Sequence, residues 1–175
     1  MPISIEIDVW RGEIAELEVD AILVPANESL FMTTPVGRAV RQRAGESVER
    51  DAVQQGPVKA GSAVVTGGGD LAAPYVVHVV AVGHDLRADP ERLSRALDAA
   101  LQLTGRLGLR RVAIAPIGTE RGVFDADQAS AALLSVLQSR ASAQEPLPSS
   151  LVVAVPGPAE ATAYRLALAT LEAPR

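Results

Sequence analysis

The sequence has no cysteine, only two histidines and few aromatic residues, and each scarcity excludes a class of protein. Without cysteine there is no disulfide framework, no thiolate metal site and no thiol nucleophile. His78 and His84 are too few for a histidine-rich metal centre. Aromatic residues make up 3% of the chain and hydrophobic residues 48%, so the core must consist mainly of Val, Leu, Ile and Ala.

The chain also has no apolar run of the roughly 18 residues that a membrane span requires. Its beginning alternates apolar and polar residues, with Ile3, Ile5, Ile7 and Val9 on one side, which predicts a strand. A signal peptide would instead show a basic stretch followed by an apolar one. We therefore expect a cytoplasmic protein with no membrane partner.

Length and charge narrow the expectation further. The 175 residues fit one domain, so residues 1–175 are expected to form a single unit. The net charge is −5, with 21 acidic and 16 basic residues. Neutralising a nucleic acid backbone requires clustered cations, so we expect no nucleic acid partner. The oligomeric state is left open.

Strand and helix signals alternate along the chain. Asp125 and Gln128 form a capping box, and Thr34-Pro35 and Asp89-Pro90 are typical helix starts. Apolar runs without alternation, such as residues 111–116, indicate strands covered on both faces. Further strands are predicted at residues 19–24, 62–66, 75–82 and 151–155. Further helices are predicted after a break at residues 45–47, ending near Gly56, and over residues 158–171. The fold class is α/β, a three-layer α/β/α sandwich with a mixed, largely parallel central sheet.

In such a sheet, ligands bind outside the carboxyl ends of the strands. Four segments are therefore predicted to surround a pocket: residues 12–14, 27–36, 118–124 and 156–158. Two of these segments lead into helix N-termini, where free N–H groups and the helix dipole favour an anion.

The same segments carry a family resemblance. Gly12-Glu13-Ile14 and residues 19–27 (VDAILVPAN) are similar to the G-D-I and V-D-A-I-V-N-A-A-N motifs of the macro domain family, of the ADP-ribose-binding, Appr-1"-p processing type. Residues 60–66 and 74–78 resemble its G-x-A-x-x-T and Y-V-I-H strands. Residues 116–119 resemble its P-x-G-T run. The order and spacing of these motifs agree with those of the family along nearly the whole chain.

The resemblance implies a pocket for ADP-ribose or a related nucleotide. Glu13 would contact the adenine amine, Ile14 would offer its backbone N–H to the adenine ring, and Asn27 would touch the proximal ribose. Pro156 stands where the family often stacks an aromatic residue on the base. Two loops would wrap the pyrophosphate, and their candidate residues are Thr33, Thr34 and Val36 in the first and Gly118, Thr119, Glu120, Arg121, Gly122 and Val123 in the second.

The first loop, residues 33–36, departs from the family's G-G-G-V. Two threonines crowd the approach of a phosphate, and Pro35 has no N–H to donate. Threonine hydroxyls could replace one or two of the lost donors. The site is then altered without being destroyed.

The second loop, residues 118–123, departs from the family's G-T-G-x-G-G. A carboxylate at Glu120 within ~5 Å of a phosphate would cost about 1–3 kcal/mol. That energy corresponds to roughly ten- to a hundredfold in affinity. Arg121 could offset this cost by turning inward while Glu120 turns outward.

The catalytic residues stay unassigned, because Gly37 stands where some macro hydrolases have an aspartate and Val24 where the motif has its first asparagine. No metal or cofactor is expected. His78 is expected in the core, His84 on a loop surface, and Asn27 could simply cap a turn.

Three functions remain open. The first is a module that binds an ADP-ribose-like ligand or ADP-ribosylated protein. The second is a degenerate scaffold whose cleft is plugged by residues 32–35 or by Glu120. The third is a hydrolase of ADP-ribose adducts.

Overall fold

The computed structural model describes residues 4–172, so the predicted strand residue Ile3 lies outside the described part. Its central sheet has six strands in the order β1-β6-β5-β2-β4-β3. The strands are β1 (Glu6–Arg11), β2 (Ala21–Pro25), β3 (Ser62–Gly67), β4 (Tyr75–Val80), β5 (Arg111–Ile114) and β6 (Ser150–Val155). β3 runs antiparallel to β4 and the other pairings are parallel, which confirms the predicted mixed, largely parallel sheet.

Five α-helices cover the two faces of this sheet and complete the predicted α/β/α sandwich. They are α1 (Pro35–Ala44), α2 (Glu46–Val53), α3 (Pro90–Arg106), α4 (Ala126–Ser142) and α5 (Pro158–Glu172). The predicted helix starts are confirmed: the Thr34 and Asp89 side chains cap α1 and α3, and Asp125 and Gln128 form the capping box of α4. Two short 3-10 turns, Ile14–Glu16 and Glu120–Gly122, were not predicted.

The two largest parts of the core lie one on each face of the sheet, and a smaller cluster surrounds Leu30. Alternate residues of β2 divide between them, with Ala21 and Leu23 facing one way and Ile22 and Val24 the other. The first part packs against α3, α4 and α5, and the second against α1, α2 and the turn at Ile14. Burial of both faces explains why these strands read as continuous apolar runs.

Two strands end earlier in the structure than the sequence pattern predicts. β4 ends at Val80, where residues up to 82 were expected, and β5 ends at Ile114 where 116 was expected. Both strands end where the chain leaves the ladder to form a loop at the carboxyl edge. Five parallel strands therefore release their loops at one edge of the sheet, and that edge holds the site.

Candidate functional site

A cleft of about 980 Å³ lies along the carboxyl edge of the sheet. Each of the five parallel strands contributes to it: Glu13 follows β1, Pro156 follows β6, Thr119 follows β5, Asn27 follows β2 and His84 follows β4. Neighbouring strands lie about 4.8 Å apart, so the four spacings from β1 to β4 span roughly 19 Å. The strand order of the sheet thus fixes the order of residues along the cleft.

Most of the residues singled out in the sequence meet in this cleft. Its wall includes Glu13, Ile14, Asn27, Thr33, Thr34, Val36, Thr119, Glu120, Arg121 and Pro156. Gly118, Gly122 and Val123 belong to the second loop but do not form part of the wall. Neither plug expected for a degenerate scaffold closes the cleft. Met32 is buried and does not line it, residues 33–35 form part of its wall, and the carboxylate oxygens of Glu120 are buried.

Sequence reasoning missed one wall of the cleft, the loop after β4. Val82, Gly83, His84 and Leu86 all line it. His84 is on a loop surface as expected, with 58% of its side chain exposed, but that surface faces the cleft. The rule that ligands bind at the carboxyl ends of parallel strands, applied to β4, would have included this loop.

The first loop leaves few free donors at the start of α1. Pro35 has no N–H, the Gly37 N–H donates to Thr34 Oγ1 at 3.0 Å, and the Arg38 N–H donates to the Thr34 carbonyl at 2.9 Å. Of the first four helical residues, only Val36 keeps a backbone N–H without a partner in the described part of the chain. Thr34 Oγ1 accepts a hydrogen bond, so its hydroxyl hydrogen stays available as a second donor.

Gly37 has a steric reason for lacking a side chain. A Cβ at this position would lie 3.0 Å from Thr34 Oγ1 and 3.2 Å from the carbonyl carbon of Met32. These contacts are tighter than normal packing allows. An acidic side chain at position 37 would therefore require the first loop to shift.

The second loop buries the carboxylate of its glutamate and leaves its arginine exposed in the wall of the cleft. Gly118, Arg121 and Gly122 adopt positive φ angles of 98°, 53° and 72°, which reverse the chain sharply. Arg121 is exposed, whereas both carboxylate oxygens of Glu120 are buried without a hydrogen-bond partner. Arg121 therefore does not pair with the carboxylate of Glu120 among the described residues, although both residues line the cleft.

Burial dominates the electrostatics of Glu120. It raises the pKa of this carboxyl from its ordinary 4.5 to about 7, while the nearby N–H groups of Glu120 itself and Gly118 act in the opposite direction. Neither N–H group forms a hydrogen bond of acceptable geometry with the carboxylate. At neutral pH the loop therefore holds a mixture of protonated and ionised Glu120.

Tyr164 of α5 is close enough to this carboxyl to sense its charge. Burial, and then the negative charges of Glu120 and Glu160, raise the pKa of Tyr164 well above its ordinary value. The phenol stays protonated and offers no charge to balance Glu120.

Asn27 both caps a turn and lines the cleft. Its Oδ1 accepts hydrogen bonds from the N–H groups of Ser29 at 3.0 Å and Phe31 at 3.1 Å. This capping holds a turn in which Leu30 has a positive φ of 65°. The side-chain amide nitrogen keeps its donors free of partners among the described residues.

At the β4 end of the cleft, Glu28 holds the loop that carries His84. Glu28 Oε2 accepts the His84 backbone N–H at 2.9 Å and lies 3.6 Å from His84 Nδ1. On the other side of the loop, Asp85 pairs with Arg92 at 3.0 Å, and Arg92 also meets Asp89 at 3.4 Å. An imidazole and a carboxylate thus stand side by side at the edge of the cleft.

The other histidine is confirmed as a core residue. His78 of β4 is fully buried, and its Nε2 lies 2.9 Å from Thr66 Oγ1. Burial lowers the pKa of His78 from 6.5 to about 4, so it is neutral at physiological pH. It does not line the cleft.

Within residues 4–172, no cluster of three or more acidic or histidine side chains could hold a metal ion. None of the helices in that part of the chain has the length and hydropathy needed to cross a membrane.

Comparison with known proteins places these features in context. The sequence model of the macro domain matches residues 24–133. An uncharacterized protein of Aquifex aeolicus is 31% identical over 134 residues, covering 76% of this chain and 81% of its own. A macro domain-containing protein of Cupriavidus necator is 34% identical over 149 residues, covering 79% and 84%. An uncharacterized protein of Mycobacterium tuberculosis is 30% identical, and this chain spans only 37% of its length.

Solved structures show the same fold. The Trypanosoma brucei macrodomain in complex with ADP-ribose superposes with a TM-score of 0.85 at 22% identity, covering 95% of this chain and 73% of that one. A variant of the Oceanobacillus iheyensis macrodomain gives 0.83 at 18% identity, covering 98% and 96%.

Proposed function

The chain belongs to the macro domain family, and we propose that its cleft binds ADP-ribose, either free or attached to a protein. The open cleft along five strand ends carries the proposal, because its roughly 19 Å length suits an extended dinucleotide-like ligand. The Trypanosoma brucei macrodomain of the same fold was solved with ADP-ribose. An open cleft of this size favours binding over a degenerate scaffold.

The order of strands supports one orientation of the ligand. Glu13 and Ile14 at the β1 end would receive the adenine, with Pro156 of the adjacent strand against the base. The two loops after β5 and β2 would then hold the pyrophosphate. Asn27 lies three strand spacings, roughly 14 Å, from β1, so we propose that its amide contacts the terminal ribose and not the proximal one.

The pyrophosphate would meet few donors in the first loop and a titratable group in the second. Val36 N–H and the hydroxyls of Thr33 and Thr34 are the donors that the first loop offers. In the second loop, ionised Glu120 would repel the phosphates and protonated Glu120 would not. Binding is therefore expected to favour the protonated form.

Calorimetric titration with ADP-ribose tests the proposal, with AMP and ADP, which both lack the terminal ribose, as controls. We expect micromolar affinity for ADP-ribose and weaker binding of AMP. Absence of heat up to about 1 mM ligand, a limit of roughly −4 kcal/mol, would overturn the proposal. A macro fold kept as a scaffold, or for another ligand, would then be the better reading.

Asn27 offers a matched pair of variants. Asn27→Asp keeps an oxygen to accept the Ser29 and Phe31 N–H groups but removes the free amide donors. It should lower ADP-ribose affinity while the melting temperature is kept. Asn27→Ala removes both the accepting oxygen and the amide donors, and it should lower ADP-ribose affinity and the melting temperature together. Equal affinity of wild type and Asn27→Asp would contradict a role of the amide in binding.

The remaining expectations also stay proposals. We propose a single domain in the cytoplasm that does not bind nucleic acid, in keeping with the net charge of −5. Appr-1"-p processing, or any other turnover, would need catalytic groups at the terminal ribose.

A further inference from the structure

Arg121 is the one arginine or lysine side chain on the described wall of the cleft. The other ionisable side chains of that wall are Glu13, Glu120 and His84. Arg121 is exposed and forms no ion pair within residues 4–172. The buried carboxylate of Glu120 does not neutralise it either. The positive charge of Arg121 is therefore available to a ligand.

The second loop uses most of its own backbone donors. The N–H groups of Gly122, Val123 and Phe124 each donate to a carbonyl within the loop, at 3.0, 3.2 and 3.0 Å. Those of Gly118 and Glu120 lie near the carboxylate of Glu120. In the first loop, the start of α1 keeps a single N–H without a partner among the described residues. The two loops thus offer few backbone donors to balance the two negative charges of a diphosphate.

The backbone of Arg121 is strained while its side chain lines the cleft. Its φ of 53° and ψ of 24° lie in the left-handed region, between two glycines of positive φ at positions 118 and 122. Glycine adopts this conformation without strain, whereas a residue with a Cβ does not. Strain of this kind is typical of binding and active sites, where the side chain itself is needed.

Strand order places Arg121 at the middle of the cleft. The strand it follows, β5, is the third of the five parallel strands between β1 and β4. The diphosphate of ADP-ribose is also the middle of that molecule, with a ribose on each side. In the proposed orientation the guanidinium therefore faces the two phosphates, and Glu13 at the β1 end lies two strand spacings, roughly 10 Å, away.

We propose that Arg121 determines the specificity of the cleft by pairing its guanidinium with both phosphates of a diphosphate ligand. The inference rests on the proposed binding of ADP-ribose and deepens it, because it names the group that recognises the charge of the ligand. A planar guanidinium donates two parallel hydrogen bonds to phosphate oxygens. A monophosphate satisfies only part of this arrangement, so the cleft prefers a diphosphate.

The experiment measures the affinities of the full chain for ADP-ribose, ADP and AMP by calorimetry, at one pH. Arg121→Gln should lower the affinities for ADP-ribose and ADP about 10- to 100-fold, since hydrogen bonds between charged groups are lost. Its effect on AMP should be at least threefold smaller, so the preference for ADP over AMP shrinks.

Arg106→Gln is the matched control. Arg106 is exposed at the end of α3, which leads into the start of β5 and so lies at the edge of the sheet opposite the cleft. The substitution removes the same charge from the chain without touching the wall. All three affinities should stay as in the wild type.

Two further variants separate binding from a structural role of Arg121. Arg121→Gly removes the charge and the backbone strain together, so the melting temperature should not fall although ADP-ribose affinity falls as in Arg121→Gln. Arg121→Lys keeps the charge but loses the planar fork, and its affinity should lie between those of the wild type and Arg121→Gln. Added salt should weaken ADP-ribose binding more in the wild type than in Arg121→Gln, because salt screens the lost charge interaction.

Equal ADP-ribose affinity of the wild type and Arg121→Gln, or equal losses for ADP and AMP, would overturn the inference. If the wild type still binds ADP-ribose in that case, only the role of Arg121 fails. If ADP-ribose does not bind to the wild type, the proposed function fails as well.

Discussion

The first and second loops flank the middle of the cleft. Each replaces glycines of the family motif, and the replacements have different physical effects. In the first, Pro35 and the cap at Thr34 remove N–H donors from the start of α1 without adding a charge. In the second, Glu120 adds an ionisable group whose oxygens are buried and unpartnered. The first change acts at every pH, whereas the second depends on protonation.

This difference teaches how one cleft can be weakened by steric and by electrostatic means. A missing N–H donor lowers the binding free energy by the same amount at pH 6 and pH 8. A buried carboxyl with a pKa of about 7 is mostly protonated at pH 6 and mostly ionised at pH 8, so it weakens phosphate binding little at pH 6 and strongly at pH 8. Variants in the two loops should therefore separate in their pH dependence.

The largest expected effect is on stability, in Glu120→Gln. The folded-state pKa of Glu120 is raised from 4.5 to about 7, so ionisation destabilises the fold increasingly as the pH rises through this window. Above pH 7 the variant should be more stable than wild type by about 3 kcal/mol in denaturant unfolding. Below pH 4.5 the two should be equal.

His78 has the opposite dependence, which makes the matched comparison necessary. Its pKa is lowered from 6.5 to about 4 in the fold, so its contribution to stability is lost as the pH falls through that range. Both proteins carry His78, and its effect cancels when they are compared at one pH. A difference between them that does not change with pH would contradict the buried-carboxyl account.

Thr34→Glu would give the first loop a negative charge of its own. A carboxylate within ~5 Å of the pyrophosphate costs about 1–3 kcal/mol, and the hydroxyl donor is lost too, so ADP-ribose affinity should fall about a hundredfold. Thr34→Ser keeps the hydroxyl and the cap and should bind like wild type. Unchanged calorimetric affinity in Thr34→Glu would place the phosphates away from α1.

Glu120→Gln should change affinity in the opposite direction. Removing the ionised carboxyl should raise ADP-ribose affinity at pH 8 by roughly ten- to a hundredfold, with little change at pH 6. Wild-type binding at pH 8 should take up close to one proton, as measured by calorimetry in buffers of different ionisation enthalpy. Binding without proton uptake would show that the phosphates do not sense Glu120.

Thr34→Ala has the smallest expected effect. It removes the side-chain cap on the Gly37 N–H and should lower the free energy of unfolding by about 1 kcal/mol. Unlike the effect at Glu120, this loss should be the same at pH 6 and pH 8. A loss that varied with pH would mean that the first loop is coupled to a titrating group.

Several features of the fold could be predicted because their signals are local. The cap at Thr34, the capping box of α4 and the buried strand at Arg111–Ile114 each depend on a few neighbouring residues. The wall at residues 82–86 was missed because it belongs to the cleft only through the pairing of β4 with β2. Strand pairing brings together residues far apart in sequence, and no local pattern records it.

The sequence by itself determined the α/β class, the helix starts, the family resemblance and the chemical oddity of both loops, because these depend on residue type and order. Only the tertiary structure decided that the carboxylate of Glu120 is buried while Arg121 stays exposed, in a loop that positive φ angles reverse sharply. It alone decided that Asn27 and His84 share one end of the cleft, because β2 and β4 are neighbours in the sheet. Side-chain direction and strand neighbourhood arise from packing the whole chain.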